Sequence, residues 1–227
     1  MKAMILAAGR GERLRPLTDH TPKPLLRVGE QGLLEHHILR LHKAGYTELV
    51  INTHHLAALI HATIGNGARY GVTVHYSDEQ PEALETGGGI RQALPWLGTE
   101  PFLVINGDIW SEHPLTPPAL APATLAHLVL VANPEHHPQG DFVLDHGRIT
   151  ATGEPRLTFS GIGWYRPELF TGCLPGRFPL APLLRAAMAN GQVTGAAHQG
   201  FWLDVGTPER LQALRDRWSA AHAKTSA

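Results

Sequence analysis

Short apolar segments alternate with segments of helical periodicity through the first half of the chain. Four strands and three helices are predicted there, with strands at residues 3–7, 48–52, 72–76 and 102–106 and helices at residues 34–41, 56–64 and 90–97. Parallel strands need a crossover between them, and short apolar runs are typical of strands buried on both faces. The alternation therefore predicts an α/β fold, a Rossmann-like three-layer sandwich in which helices cover a mainly parallel central sheet.

The second half of the chain predicts shorter and less regular elements. Strands are predicted at residues 128–132, 142–144, 148–150, 161–165 and 201–205, and helices at residues 183–188 and after residue 207. Asp145-His146-Gly147 is typical of a hairpin turn, and Thr207-Pro208 of a helix N-cap followed by its first residue. We interpret the proline-rich stretch at residues 114–122 as a connection, so residues 1–227 are predicted to form a single domain.

The net charge and the cysteine content indicate which binding partners and which cellular compartment to expect. The chain carries 19 Lys and Arg against 20 Asp and Glu, a net charge of −1, which argues against binding nucleic acid or an anionic membrane surface. No apolar run is long enough to span a bilayer. Cys173 is the one cysteine, so no intramolecular disulfide can form. Together these features predict a cytoplasmic protein. The fifteen histidines show no zinc-finger spacing.

A glycine turn follows the first predicted strand and carries several arginines. Gly9 and Gly11 lie in the sequence Leu6-Ala7-Ala8-Gly9-Arg10-Gly11-Glu12-Arg13-Leu14-Arg15-Pro16. Glycines directly after a strand let backbone amides approach a phosphate. The dinucleotide fingerprint is excluded because Leu14 stands where a third glycine is needed, and no Gly-Lys-Ser/Thr of a P-loop is present. A tight turn with solvated charges is the alternative interpretation.

A lysine between two prolines follows ten residues later, in Thr21-Pro22-Lys23-Pro24-Leu25. The prolines restrict the backbone on both sides of Lys23, and an ammonium group in a fixed place suits a phosphate. The combined pattern from Leu6 to Val28 resembles the signature of sugar-1-phosphate nucleotidyltransferases, and the resemblance extends along nearly the whole chain. It implies a fold of the nucleotidyltransferase type and an enzyme that joins a sugar 1-phosphate to a nucleoside triphosphate with release of pyrophosphate.

Two further segments resemble those that bind a metal ion in this family. Val104-Ile105-Asn106-Gly107-Asp108 ends a predicted strand, and Phe201-Trp202-Leu203-Asp204-Val205-Gly206-Thr207-Pro208 precedes the last helix. The resemblance implies that Asp108 and Asp204 hold Mg²⁺, which prefers carboxylate and phosphate oxygens. A turn or helix-cap role is the alternative for each aspartate.

The resemblance also implies roles for residues around these segments. Arg13 and Lys23 are the implied catalytic residues. The implied nucleotide-binding residues are Ala8, Gly9, Gly11, Glu12, Arg13, Lys23, Gln80, Glu85 and Thr86. The implied sugar-phosphate-binding residues are Asn106, Gly140, Asp141, Glu154 and Arg156. Residues 1–110 would then form a nucleotide-binding half and residues 111–227 a sugar-binding half.

The chain departs from the family pattern at two positions. Glu85 stands where the family commonly has glycine, within Leu84-Glu85-Thr86-Gly87-Gly88-Gly89, a stretch for which a flexible turn is the alternative interpretation. Pro155 follows Glu154 directly, so the lysine that many relatives carry there is missing and Arg156 comes next. Plain surface acids are the alternative for Asp141 and Glu154.

The implied substrates follow from the most similar branch of the family. Compact relatives of this length use UTP and a muramic acid 1-phosphate of cell-wall recycling. The muramate carries a lactyl carboxylate that Arg156 could bind through two parallel hydrogen bonds. The alternatives are mannose-1-phosphate guanylyltransferase, relatives that use glucose 1-phosphate or phosphocholine, and a non-catalytic sugar-nucleotide sensor. The sequence leaves the oligomeric state open, with a monomer slightly favoured.

Overall fold

The structure, a computed structural model, describes residues 1–223. The strands in this part of the chain are Lys2–Leu6 (β1), Arg27–Val28 (β2), Gln31–Gly32 (β3), Glu48–Thr53 (β4), Thr73–Asp78 (β5), Phe102–Asn106 (β6), Ile109–Ser111 (β7), Ala126–Val131 (β8), Val143–Asp145 (β9), Arg148–Thr150 (β10), Thr158–Tyr165 (β11), Val193–Ala197 (β12) and Trp202–Asp204 (β13). The α-helices are Leu33–Lys43 (α1), Ala57–Ile64 (α2), Glu85–Leu97 (α3), Ala181–Ala189 (α4) and Pro208–Ala223 (α5).

The central sheet has nine strands in the order β5-β4-β1-β6-β11-β8-β12-β10-β9. The pairs of β1 with β4 and β6, and of β4 with β5, are parallel, whereas β11 is antiparallel to both of its neighbours. Seven strands run in one direction, and β10 and β11 run in the other. The predicted α/β fold with a mainly parallel sheet is confirmed, and the carboxyl ends of β1, β4 and β6 meet at one edge.

Helices cover both faces of the sheet, as the alternation of side chains along β1 requires. Ile5 is fully buried in a core with Ile38 of α1 and Ile60 of α2. Met4, its neighbour in the strand, lies in a second core with Ile90 of α3 and Leu184 of α4. Helix α5 packs in a third, smaller core with the glycine turn and β2. None of the helices within residues 1–223 is both long and apolar enough to cross a membrane.

The short strands β2, β3 and β7 were not predicted, and two further differences from the sequence prediction follow from tertiary packing. Strand β12 was not predicted, because its sequence of small residues lacks an apolar run; it pairs with β8, and a Cβ at Gly195 would lie 2.6 Å from the backbone oxygen of Leu128. Helix α3 begins at Glu85, five residues earlier than predicted, and includes Gly87-Gly88-Gly89. The flexible-turn interpretation of these glycines is wrong.

Close backbone packing explains why glycines begin helix α3. A Cβ at Gly88 would lie 2.2 Å from the oxygen of Gly176, and a Cβ at Gly87 would lie 2.6 Å from the ring of Phe178. The backbone N–H of Gly88 donates to the oxygen of Phe178 at 3.0 Å. Glycine has a low helix propensity, so these contacts with residues 176–178 compensate for it.

Candidate active site

A cleft of about 550 Å³ lies at the carboxyl ends of β1, β4 and β6. Its volume is in the range typical of small-molecule sites. Ten of the residues predicted to act in the site line it: Ala8, Gly9, Gly11, Glu12, Arg13, Lys23, Glu85, Thr86, Asn106 and Asp108. The parallel half of the sheet therefore brings most of the predicted nucleotide and phosphate residues to one crevice.

The glycine turn presents Arg13 to the cleft because Thr18 and the buried Leu14 hold the turn in place. Gly11 has a φ of 66°, and a Cβ there would lie 2.9 Å from a methyl group of Thr18. The hydroxyl of Thr18 donates to the backbone oxygen of Gly11 at 2.8 Å. Leu14 is fully buried in the core with α5. Only glycine fits at position 11, and the turn leaves Arg13 exposed at the cleft.

Lys23 is held in place by both its backbone and its side chain. The prolines at positions 22 and 24 flank it at the start of a short 3-10 helix. Its side chain is only 10% exposed, and its Nζ lies 2.5 Å from Oδ2 of Asp108. A buried ammonium group is tolerated when it is paired in this way. The pair brings together two site residues that are 85 positions apart in the sequence.

Asp204 lies beside Asp108 because β13 pairs with β7, which begins directly after Asp108. Strand β13 is antiparallel to β7 with Asp204 opposite Ile109, and the N–H of Val205 donates to the backbone oxygen of Asp108 at 2.7 Å. A Cβ at Gly206 would lie 3.1 Å from both the Arg13 guanidinium and Oδ2 of Asp204. Gly206 lines the cleft. Arg13, Lys23 and Asp108 thus line one crevice, and Asp204 lies beside it, next to Gly206.

Two side chains that the sequence analysis missed approach Asp204. Its Oδ1 lies 3.1 Å from a guanidinium nitrogen of Arg210 and 3.0 Å from Nε2 of His136. Neither contact has hydrogen-bond geometry, and this buried oxygen has no hydrogen-bond partner. Arg210 follows the predicted cap at Thr207, whose hydroxyl accepts from the N–H of Arg210 at 3.4 Å. The sequence carries no signal for His136, because the loop that bears it reaches Asp204 only in the folded chain.

The two aspartates fit a divalent cation that completes its coordination with substrate oxygens. Within residues 1–223, no cluster of three or more His, Cys, Asp or Glu side chains could hold a metal ion by itself. Mg²⁺ is commonly held by one or two carboxylates together with phosphate oxygens and water. Asp108, directly before β7, and Asp204, in the paired strand β13, supply two carboxylates, and the buried Oδ1 of Asp204 accepts no hydrogen bond. The donor set therefore fits the cation.

The implied nucleotide-binding residues Gln80, Glu85 and Thr86 lie only partly where the prediction placed them. Glu85 and Thr86 line the cleft, but Gln80 is exposed and does not; Glu79 and Asn52 line it instead. Asn52 ends one predicted strand and Glu79 follows another, and the carboxyl ends of both strands lie at the site, which is the signal that could have identified these residues. Glu85 has a φ of 60°, a conformation that favours glycine, and this accounts for the glycine that the family commonly has at this position.

The residues predicted to bind the sugar form a neighbouring group, of which only Asn106 lines the cleft. Asp141 accepts a hydrogen bond from the N–H of Phe159 at 2.8 Å and lies 3.1 Å from Nε2 of His137. Arg156 donates to the oxygen of Gly153 at 3.2 Å and lies 3.6 Å from the exposed Glu154. Gly140, with a φ of 61°, packs on the backbone of Arg156. Their sugar contacts stay a prediction.

Two histidines, one buried and one partly buried, have pKa values well below the ordinary range. Burial, followed by the charge of Arg40, lowers the pKa of His37 to about 3, and neither of its ring nitrogens has a hydrogen-bond partner. Burial, followed by the nearby His198, Arg40 and His127, lowers the pKa of His113 to about 4. Both rings are therefore neutral at pH 7.

Comparison with known proteins identifies the family. Residues 2–142 match the family model described as nucleotidyl transferase. A relative from Neisseria meningitidis serogroup B, named N-acetylmuramate alpha-1-phosphate uridylyltransferase, is 51% identical over 96% of this chain and 100% of its own length. A relative of the same name from Caulobacter vibrioides is 35% identical over 96% of this chain and 97% of its own. Mannose-1-phosphate guanylyltransferase from Mycobacterium tuberculosis is 30% identical over 91% of this chain and 61% of its own.

Solved structures show the same fold at low sequence identity. A chain described as a glucose-1-phosphate thymidylyltransferase from Bacillus anthracis superimposes with a TM-score of 0.83 at 23% identity, over 96% of this chain and 95% of its own. The inositol-1-phosphate CTP transferase from T. maritima superimposes with a TM-score of 0.77 at 17% identity, over 96% of each chain. With the family match and the converging site, these findings show that the chain belongs to the nucleotidyl transferase family, as an enzyme of the sugar-1-phosphate nucleotidyltransferase type.

Proposed function

We propose that this enzyme transfers a uridylyl group from UTP to N-acetylmuramic acid α-1-phosphate, giving UDP-N-acetylmuramic acid and pyrophosphate in peptidoglycan recycling. The observation that carries the reaction class is that Arg13, Lys23 and Asp108 line one cleft, with Asp204 beside Gly206 of the same lining. The choice of substrates is supported by the names of the two relatives that match nearly the whole chain.

The reaction in this proposal is an in-line displacement at phosphorus. An oxygen of the sugar phosphate attacks the α-phosphorus of UTP, and the bond from that phosphorus to the bridging oxygen breaks as pyrophosphate leaves. No covalent intermediate with the enzyme forms, so the protein acts by positioning and by stabilising charge. The backbone amides of Gly9 and Gly11 bind the phosphates, and Arg13 binds the departing pyrophosphate.

Lys23 is suited to the charge on the two reacting phosphates. One of its three N–H donors is directed to Asp108 at 2.5 Å, which leaves two for phosphate oxygens. Because the ammonium is bound in advance, little side-chain entropy is lost when the substrates arrive.

Members of the family generally use divalent metal ions, and we propose Mg²⁺ here. Asp108 and Asp204 would hold it, and when bound it would neutralise charge on the phosphate oxygens. A guanidinium nitrogen of Arg210 lies 3.1 Å from Oδ1 of Asp204, which would help to fix the position of this carboxylate.

We further propose that residues 1–110 bind the nucleotide and residues 111–227 the sugar. Gln80 would reach the base from the rim, with Ala8, Glu12, Glu85 and Thr86 along the nucleotide. Strand β11 supports the sugar side: Gly161 packs on the side chain of Asn106, and the N–H of Phe159 binds Asp141. Phe159 and Gly161 are two residues apart on β11, so Asp141 and Asn106 lie against the same strand.

Arg156, Glu154 and Gly140 complete the proposed sugar site beside Asp141. Arg156 is the candidate partner for the lactyl carboxylate of the muramate, since its guanidinium is only loosely paired with Glu154, at 3.6 Å. We also propose that the enzyme acts in the cytoplasm, where both substrates would be available, and as a monomer with neither nucleic acid nor membrane as partner.

Pyrophosphate release tests this function directly. The purified enzyme is assayed with Mg²⁺, each of four nucleoside triphosphates, and N-acetylmuramic acid, N-acetylglucosamine, glucose and mannose 1-phosphates. We expect turnover to be fastest with UTP and N-acetylmuramic acid 1-phosphate. Activity confined to GTP and mannose 1-phosphate would reject the substrates but keep the reaction class. Silence with every pair, together with retained binding of a sugar nucleotide, would indicate a sensor.

A further inference from the structure

Two polar side chains at the proposed nucleotide end of the cleft are almost completely buried, and the proposed reaction uses neither of them. Asn52 lies near the end of β4 and is 3% exposed, and Glu79 follows β5 and is 1% exposed. Both line the cleft. A buried polar group is costly unless it is hydrogen-bonded, so a buried amide and a buried carboxylate at a binding site need a reason.

The two side chains form one continuous chain of hydrogen bonds. The backbone N–H of Ala7 donates to Oδ1 of Asn52 at 2.8 Å. Nδ2 of Asn52 donates to Oε1 of Glu79 at 2.7 Å, and the backbone N–H of Leu84 donates to Oε2 of Glu79 at 2.7 Å. The chain therefore links three segments that are separate in the sequence.

These segments are the walls of the nucleotide end of the cleft. Ala7 directly precedes Ala8 and Gly9 of the glycine turn, and Leu84 directly precedes Glu85 and Thr86. The asparagine and the glutamate thus set the distance between the turn that would bind the phosphates and the start of α3, which would lie against the base.

The surrounding structure holds the pair firmly. The N–H of Glu79 donates to the oxygen of Thr53 at 2.8 Å, and Nδ1 of His54 lies 2.8 Å from the oxygen of Glu79. Gly89 of α3 leaves room for the pair, because a Cβ there would lie 2.5 Å from Oε1 of Glu79 and 3.1 Å from Nδ2 of Asn52. The positions of the two side chains are therefore fixed by hydrogen bonds and close packing.

We propose that Asn52 and Glu79 are positioning residues that preorganise the nucleotide end of the cleft. They act through Ala7 and Leu84, whose backbones they hold at a fixed separation. The negative charge of Glu79 also repels a triphosphate from this end, so that the phosphates lie toward Arg13 and Lys23. This inference rests on the proposed placement of the nucleotide in the cleft.

Single substitutions that keep size but change bonding test the pair. In Glu79→Gln, one of the two donors that face the side chain meets an N–H instead of an oxygen. In Asn52→Asp, assayed at pH 8, two carboxylates face each other. Each change leaves a buried group unsatisfied, so we expect the UTP KM and the UTP dissociation constant to rise about tenfold. The KM for the sugar phosphate and kcat should change less than about threefold, a split that general loss of structure would not produce.

The double variant Asn52→Asp with Glu79→Gln provides the decisive test, because it reverses the middle hydrogen bond and restores all three. The carboxylate introduced at position 52 would accept from Ala7 and from the new glutamine amide, whose oxygen would accept from Leu84. We expect its UTP KM to return to within about threefold of the wild-type value. Asn190→Asp, the same exchange on an exposed residue that follows α4, is the matched control and should change nothing.

Three results would overturn the inference: unchanged UTP KM in the folded single variants, an equal rise of both substrate KM values, or a folded double variant that fails to recover. If the single variants do not fold, the double variant decides by itself, since a folded protein with a wild-type UTP KM supports the pair and a raised KM rejects it. Wild-type turnover in the same assay separates these results from a failure of the proposed function, in which UTP would give no turnover at all.

Discussion

The two halves of the molecule differ in how they present the residues predicted to bind substrate. In the first half, the glycine turn after β1, Lys23 and the segment after β6 all line one cleft. In the second half, Asp141 accepts from the N–H of Phe159 in β11 and Arg156 donates to Gly153 in its own loop, and neither side chain lines the cleft. Neighbouring parallel strands end at the same edge, so topology alone gathers the first group.

The difference teaches that the two halves would bind the proposed substrates in different ways. The proposed nucleotide end is preorganised by buried contacts such as the pair of Lys23 with Asp108. The proposed sugar end rests largely on loops, whose placement depends on side-chain contacts as well as on the sheet. Substitutions in the first half should therefore affect chemistry and nucleotide binding strongly, whereas those in the second half should affect sugar binding more weakly.

The largest expected effect on kcat comes from removing either member of the buried pair of Lys23 and Asp108. Lys23→Ala and Asp108→Ala should each lower kcat by roughly 10²–10³-fold, because each removes a charge that acts on the reacting phosphates. Steady-state pyrophosphate release measures this effect. Lys43→Ala, on the exposed end of α1, is the control and should leave kcat unchanged. Near-full turnover in both pair variants would contradict the assignment of the site.

Acidification should destabilise the first half through His37. The folded-state pKa of about 3 lies below the ordinary 6.5, so the unfolded chain binds more protons between these values and stability falls as the pH drops through this window. Between pH 6.5 and pH 5 the free energy of unfolding should fall by about 2 kcal/mol, and His113, with a pKa of about 4, acts in the same direction. Urea unfolding at several pH values measures it.

His37→Gln gives the control for the pH effect, because glutamine gains no proton in this range. Its stability should depend less on pH between 6.5 and 5 than that of the wild type. Stability that rises on acidification, or a slope that is the same in both proteins, would contradict the buried neutral histidine.

Gly9→Ala separates a role in binding from a role in folding. A Cβ at Gly9 has no atom within 4 Å, and its φ is not positive, so the folded protein should accept the methyl group. If the phosphates approach the backbone here, the methyl group will be in their way, and the UTP KM should rise about tenfold. Thermal unfolding should be unchanged to within about 2 °C, since no contact is lost. An unchanged UTP KM would move the phosphates away from this turn.

The smallest expected effect concerns Arg156 in the second half. Arg156→Ala should raise the KM for N-acetylmuramic acid 1-phosphate about fivefold and leave the UTP KM unchanged, because a partly exposed ion pair contributes little. The KM for N-acetylglucosamine 1-phosphate, which lacks the lactyl carboxylate, is the internal control and should not change. An equal rise for both sugars would show that Arg156 does not bind the carboxylate.

The sequence by itself determined the parallel half of the fold and the phosphate end of the site. The apolar strands β1, β4, β5 and β6 and the helices between them follow from local periodicity. The two prolines around Lys23 and the glycines at positions 9 and 11 are local signals of backbone shape. Once the strand order is given, such local signals place Arg13, Lys23 and Asp108 at one edge.

Only the tertiary structure decided the contacts between distant residues. Asn52 and Glu79 are 27 positions apart. His136, in the loop between β8 and β9, approaches Asp204 at the end of β13. The glycine start of α3 depends on the backbone of residues 176–178. Burial and close packing select these partners, and neither quantity exists before the chain has folded, so no local pattern encodes them.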